Sequence, residues 1–116
     1  MRIEHFEVNE RSSRVITAGE LIFIGGTTAP ADVEEIGPQT RAVLERLEAL
    51  LKEHGSNKSC LLSATIYLRS MEDYAGMNAV WNEWLKDVVP PTRACICAVL
   101  AGNHALVEIS LIGALL

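Results

Sequence analysis

The chain has 116 residues, 49% of them apolar, a formal net charge of -5 and three cysteines. It is long enough for one independent hydrophobic core and too short for two, so a single domain spanning residues 1–116 is expected. The acidic balance, with no cluster of Lys or Arg interleaved with aromatics, excludes a nucleic-acid track, and no run is long and apolar enough for a membrane span. An odd number of cysteines fits a reducing compartment better than a disulfide framework. The opening residues Met1–Glu7 alternate and are charged rather than signal-like, so a cytoplasmic protein is expected.

Taken in order, Ile3 to Val8 alternates apolar and polar and predicts a short strand. Arg14–Thr17 and Leu21–Ile24 flank Ala18-Gly19-Glu20, which predicts a hairpin with glycine in its turn. Gly25-Gly26-Thr27-Thr28-Ala29-Pro30 is expected to end that strand in a small-residue loop that a ligand can approach closely. From Asp32 the period becomes helical, with Ile36, Thr40, Val43, Leu44, Leu47, Leu50 and Leu51 on one stripe. Asp32 and Glu35 form a candidate capping pair, but Gly37-Pro38 favours a regular helix that begins at Pro38. Gly55 after His54 is a stop signal.

Cys60–Arg69 predicts the longest strand, with Leu62, Ala64, Ile66 and Leu68 on one face and Ser63, Thr65 and Tyr67 on the other. Ser70 is a candidate cap for a second helix, whose stripe is Tyr74, Met77, Val80, Trp81, Trp84 and Leu85. Pro90-Pro91 stops that helix and forces an extended approach to Thr92. Thr92–Cys97 and Leu106–Leu111 both alternate, and the Gly102-Asn103 dipeptide between them predicts an antiparallel hairpin. That register puts Arg93, Cys95, Cys97, Glu108 and Ser110 on one face, opposite an apolar face fit for covering by helices.

The element order is βββαβαββ, an α+β domain with two helices on one face of a mainly antiparallel six-stranded sheet. No third layer remains for the other face, which homo-oligomerisation would cover. Cys95, Cys97 and His104 lack the spacing of a tetrahedral metal set, and Gly25-Gly26 lacks the lysine and helix start of a phosphate loop. No metal and no cofactor are expected.

The ordered fragments Gln39-Thr40-Arg41, Gly55-Ser56-Asn57, Ala64-Thr65-Ile66-Tyr67-Leu68, Met77-Asn78-Ala79-Val80-Trp81, Pro91-Thr92-Arg93 and Val107-Glu108-Ile109 resemble the RidA/YjgF family of imine/enamine deaminases, also called liver perchloric-acid-soluble protein homologues. The run Gly55–Ser59 with Trp81 and Trp84 is most similar to the YoaB-like branch. The resemblance implies a chorismate-mutase-like fold and a homotrimer with ligand clefts between subunits. It also implies that Arg93 binds a substrate carboxylate and that Glu108 holds or activates water, with Cys95, Gly25 and Gly26 lining the substrate site.

The implied reaction is hydrolysis of 2-imino or 2-enamino acids to 2-oxo acids and ammonia, without a cofactor. Two departures keep a second reading open, a non-catalytic binding protein for a small carboxylate metabolite. Gly25-Gly26 stands where deaminating members carry Ser-Gly, and Ser12, Ser13 and Arg14 occupy the region where they carry an aromatic residue. A ribonuclease, an activity attached to some relatives, is disfavoured by the acidic charge.

Overall fold

The computed structural model describes all residues, Met1 to Leu116. Six strands form one sheet: β1 (Ile3–Val8), β2 (Ser13–Ala18), β3 (Leu21–Thr27), β4 (Leu61–Leu68), β5 (Thr92–Cys97) and β6 (Val107–Ala114). Their spatial order is β1-β2-β3-β6-β4-β5. Helices α1 (Ile36–Glu53) and α2 (Tyr74–Trp84) pack on one face, as the periodicity predicts. Neither helix is long and apolar enough to cross a membrane.

The β2–β3 hairpin forms with Ala18 opposite Leu21 across a Gly19-Glu20 turn, where Gly19 takes φ 61°. The hairpin expected between β5 and β6 does not form. Instead β4 lies between them, pairing parallel with β5 and antiparallel with β6. A parallel neighbour requires a crossover, which α2 supplies, so the chain passes β4, α2, β5 over one face of the sheet. The Gly102-Asn103 cue lies inside a longer connection, well away from the strand ends at Cys97 and Val107.

That connection is held by two side chains, Arg69 and Gln39, for which the sequence pattern gives no such role. Arg69 donates from Nε to the Ala105 carbonyl at 2.7 Å and from Nη2 to the Leu100 and Gly102 carbonyls at 3.2 and 3.1 Å. Gln39, 1% exposed, donates to the Val33 and His104 carbonyls, both at 2.9 Å, and accepts from the Leu106 N–H at 2.8 Å. Every polar atom of that buried amide therefore has a partner, which offsets its desolvation.

α1 starts two residues before the expected Pro38, and Asp32 does not cap it. Glu35 is the cap residue, with φ 64° and no side-chain cap bond, and its carbonyl accepts from the Gln39 N–H at 3.0 Å. Pro38 is tolerated in the first turn because an N–H there would have no intrahelical partner. At the other end the Gly55 and Ser56 N–H groups return to the Lys52 and Leu51 carbonyls, the paired bonds of a Schellman stop, with Gly55 at φ 86°.

The two helices run side by side. Ile36 covers Gly76, where an added Cβ would sit 2.7 Å from Ile36 Cγ2. At the other end the Trp84 indole donates to Glu48 at 2.8 Å, and Lys58 donates to the Trp84 carbonyl at 2.8 Å.

Ser70 caps a short 3-10 turn, Met71–Asp73, rather than α2 itself. The core lies between helices and sheet, with Ile22, Val43, Leu44, Leu47, Leu51, Ile66, Leu68, Met77, Ile109 and Leu111 almost fully buried. In β4 the predicted alternation holds from Ser63 onward, but Leu61 is buried and Leu62 exposed because the ladder with β6 shifts register between Leu61 and Ser63. Gly25 and Gly26 are part of β3 rather than a loop, and they form an irregularity between Ile24 and Thr27 where β3 meets β6.

Candidate functional site

Each predicted site residue follows from the ladder registers. Arg93 pairs with Ala64, Cys95 with Ile66 and Cys97 with Leu68, so these three share the helix-covered face. Glu108 pairs with Tyr67 and Ser110 with Thr65, on the open face. The expected clustering of Arg93, Cys95, Cys97 and Glu108 on one face is therefore wrong. The cause is the absent β5–β6 hairpin: with β4 inserted, the register of β5 is set by β4 and not by β6. Arg93 is level with Leu111 across β4, three positions from Glu108, so the two Cα atoms are roughly 14 Å apart.

On the helix face, Arg93 lies on edge strand β5 beneath α2. Its Nη1 donates to Asn78 Oδ1 at 2.7 Å and its Nη2 to the Tyr74 hydroxyl at 3.2 Å. Its guanidinium carbon lies 5.7 Å from the Trp81 ring centroid and 5.9 Å from that of Tyr74. Tyr74, Asn78 and Trp81 are spaced to lie along one helix face, so one face of α2 meets the guanidinium. No carboxylate lies within 4.0 Å of Arg93, whose charge is held by neutral groups. Tyr74, expected on the packing stripe of α2, is 39% exposed and faces Arg93 instead, as does Asn78, for which the sequence pattern gives no role; only α2 packed over β5 shows what they face.

Cys95 is half-buried against the core. Burial pushes its thiol up from the ordinary range and neighbouring Cys97 adds to that, while Arg93 works against it. The thiol is therefore protonated at neutral pH, which does not suit a nucleophile. All three cysteines are free.

On the open face, Glu108 projects over Gly26. A Cβ on Gly26 would collide with Glu108 Oε2 and lie 2.9 Å from its Cδ, so the carboxylate occupies space that only glycine leaves. Gly25 is less constrained, since a Cβ there meets only the Ser13 and Arg14 carbonyls at 3.7 Å. Beside this pair lies a polar cavity of about 180 Å³, lined by Glu7, Ser12, Ser13, Arg14 and the two glycines among others, with no hydrophobic residue.

A six-stranded, mostly antiparallel sheet with two helices on one face, in the order βββαβαββ, places the chain in the chorismate-mutase-like α+β class. The family model described as Endoribonuclease L-PSP matches residues 3–115, and the chain belongs to that family, which is also known as RidA/YjgF or RutC. A RutC family protein of Haemophilus influenzae is 39% identical over 113 residues, covering 97% of each chain. The RutC family protein YoaB of Escherichia coli is 32% identical over 114 residues, covering 98% of this chain and 99% of its own. The crystal structure of a YjgF family member from Neisseria meningitidis superposes with a TM-score of 0.94 at 38% identity, covering 100% of this chain and 97% of that one.

Proposed function

We propose that the protein binds a small 2-imino acid in a cleft between subunits of a homotrimer and hydrolyses it to a 2-oxo acid and ammonia. The observation that carries this reading is a guanidinium on an edge strand, fixed by Asn78, Tyr74 and two aromatic rings, with no anion paired to it. Such a group is ready for a carboxylate, which it can grip with two parallel charge-assisted bonds. Glu108 lies on the other face of the same chain, so one small ligand meets both groups only if a second copy supplies one of them. The open face supports association as well, since Leu21, Phe23 and Ile96 are each more than a third exposed on it.

In the proposed reaction Arg93 holds the substrate carboxylate and Glu108 of a neighbouring copy takes a proton from water as the water oxygen adds to the imine carbon. The C=N electron pair is protonated at nitrogen. The resulting carbinolamine expels ammonia and leaves a C=O bond, with water as the only co-reactant.

A binding protein without turnover is the second reading, favoured by the lack of any side-chain hydroxyl at Gly25. An endoribonuclease, the activity that the family description names, is opposed by the net charge of -5.

Ammonia release from freshly generated 2-iminobutanoate and 2-iminopropanoate tests the proposal, with Arg93→Ala as control and the mass of both assemblies measured. Acceleration by the wild type that the substitution abolishes is the expected result. A well-assembled wild type that accelerates neither imine supports the binding protein instead.

A further inference from the structure

The reaction above gives no role to Arg14, the only cationic side chain in the polar cavity beside Gly26. Arg14 follows from the β2 alternation: Val15 is fully buried, so its neighbour projects from the open face. Its one side-chain hydrogen bond is a 3.4 Å contact from Nη1 to the Gly26 carbonyl, and it takes part in no ion pair. Other groups in the lining are already engaged. Asn9 Oδ1 accepts from the Arg11 and Ser12 N–H groups at 2.8 and 3.0 Å, and the Ser13 hydroxyl meets His5 Nδ1 at 3.2 Å. Glu7 also lines the cavity but lies beyond 4.0 Å from Arg14.

We infer that Arg14 is a subsite for a second carboxylate, so that the ligand class of this cleft is a dicarboxylic 2-imino or 2-oxo acid. The inference rests on the composite site proposed above, in which the reacting carbon lies near Glu108. Glu108 and Arg14 flank Gly26 without pairing to each other: the carboxylate fills the space of the missing Cβ, and the guanidinium reaches the carbonyl of the same residue. A ligand of about four or five carbons with its reacting carbon at Glu108 extends across Gly26 and places its far carboxylate at Arg14.

An aliphatic side chain gains nothing in a cavity without apolar lining. A carboxylate gains charge-assisted bonds. A second carboxylate that misses Arg14 is left facing Glu7, so the cavity selects for position as well as charge.

The test is a binding titration with two stable acids, 2-oxoglutarate and 2-oxobutanoate, run beside the imine assay with the matching 2-iminoglutarate and 2-iminobutanoate. The wild type is expected to bind the diacid at least tenfold more tightly than the monoacid. Arg14→Gln should bring that ratio close to one, and Arg14→Lys should restore part of it, with melting curves confirming that both variants fold. Equal affinity for the two acids in the wild type overturns the inference, as does a ratio unmoved by Arg14→Gln. Diacid preference through Arg14 without turnover of either imine upholds the subsite while overturning the deaminase reading. Failure of the wild type to bind either acid or to accelerate either imine overturns both.

Discussion

Arg93 and Glu108 are positioned in opposite ways. Arg93 lies on the outermost strand and is fixed by added chemistry, namely the Asn78 amide, the Tyr74 hydroxyl and the faces of Tyr74 and Trp81. Glu108 lies on an interior strand and is admitted by what is missing, since Gly26 has no side chain to displace it. The contrast follows from topology. An edge strand has one neighbour and takes its support from the helix above, whereas a central strand is flanked on both sides and gains room only where a neighbour is small. Each half is thus sensitive to a different kind of substitution, and in the proposed cleft each is incomplete without the other from a second copy.

The largest expected effect tests that incompleteness. Arg93→Ala and Glu108→Gln should each lower kcat/KM for an imine by about 10³-fold, as expected for loss of a charge-assisted anchor or a positioned base. When the two variants are denatured, mixed equally and reassembled, about one quarter of the clefts in randomly assembled trimers should regain both groups. Recovered ammonia release near that fraction supports clefts shared between chains. No recovery from correctly sized mixed trimers would place both groups of each site in one chain, against the geometry above.

The Glu108 half should respond next. Gly26→Ala is expected to push the carboxylate aside and lower kcat by about 10²-fold, a cost typical of misplacing a catalytic group by an ångström. The Glu108 side chain is flexible, so the melting temperature should move by only a few degrees, about 0.5–1 kcal/mol. A large fall in melting temperature with an unchanged kcat would show that Gly26 serves the sheet rather than the carboxylate. Gly25→Ser, by contrast, adds a Cβ in ordinary contact with the Ser13 and Arg14 carbonyls and supplies a hydroxyl. It should leave stability unchanged and raise kcat/KM a few-fold, and an unchanged value would argue that the hydroxyl has no part in this cleft.

On the Arg93 half, Tyr74→Phe removes one 3.2 Å hydrogen bond while keeping the ring. The expected loss is about 1 kcal/mol, roughly fivefold, and should appear in KM if the bond positions a carboxylate anchor. The smallest effect concerns the far end of α2. The Trp84 indole, followed by Lys52 and Lys58, holds the Glu48 carboxyl below the ordinary glutamate range despite some opposing burial. A carboxyl lowered in the folded state adds stability above its unfolded pKa of about 4.3, and that contribution is lost as pH falls through the lower folded value. Trp84→Phe should therefore cost more stability at pH 7 than at pH 3 once the common packing loss is subtracted, measured as the difference between urea midpoints. An equal cost at both pH values would mean that the indole bond does not favour the charged carboxylate.

The sequence by itself determined what depends on near neighbours. The period-two runs gave all six strands, the period near 3.6 gave both helices, and the Gly19 and Gly55 signals marked a turn and a helix stop where the structure has them. Local sterics and the burial of one face of each element decide those features, and neither requires knowledge of the rest of the chain. The family was legible as well, through fragments such as Pro91-Thr92-Arg93 and Val107-Glu108-Ile109 in their order.

The sequence did not determine which strands are neighbours. Two alternating strands with Gly102-Asn103 between them look like a hairpin, yet β4, which precedes both in the chain, separates them because its apolar Ala64, Ile66 and Leu68 complete the helix-covered face beside Ile109 and Leu111. Long-range burial outweighed a local turn preference. That single choice turned Arg93 toward α2 and away from Glu108, and it set Asn78 and Tyr74 against the Arg93 guanidinium. Spacing along the chain says how far apart side chains are in sequence; only the register of the assembled sheet decides which of them share a face.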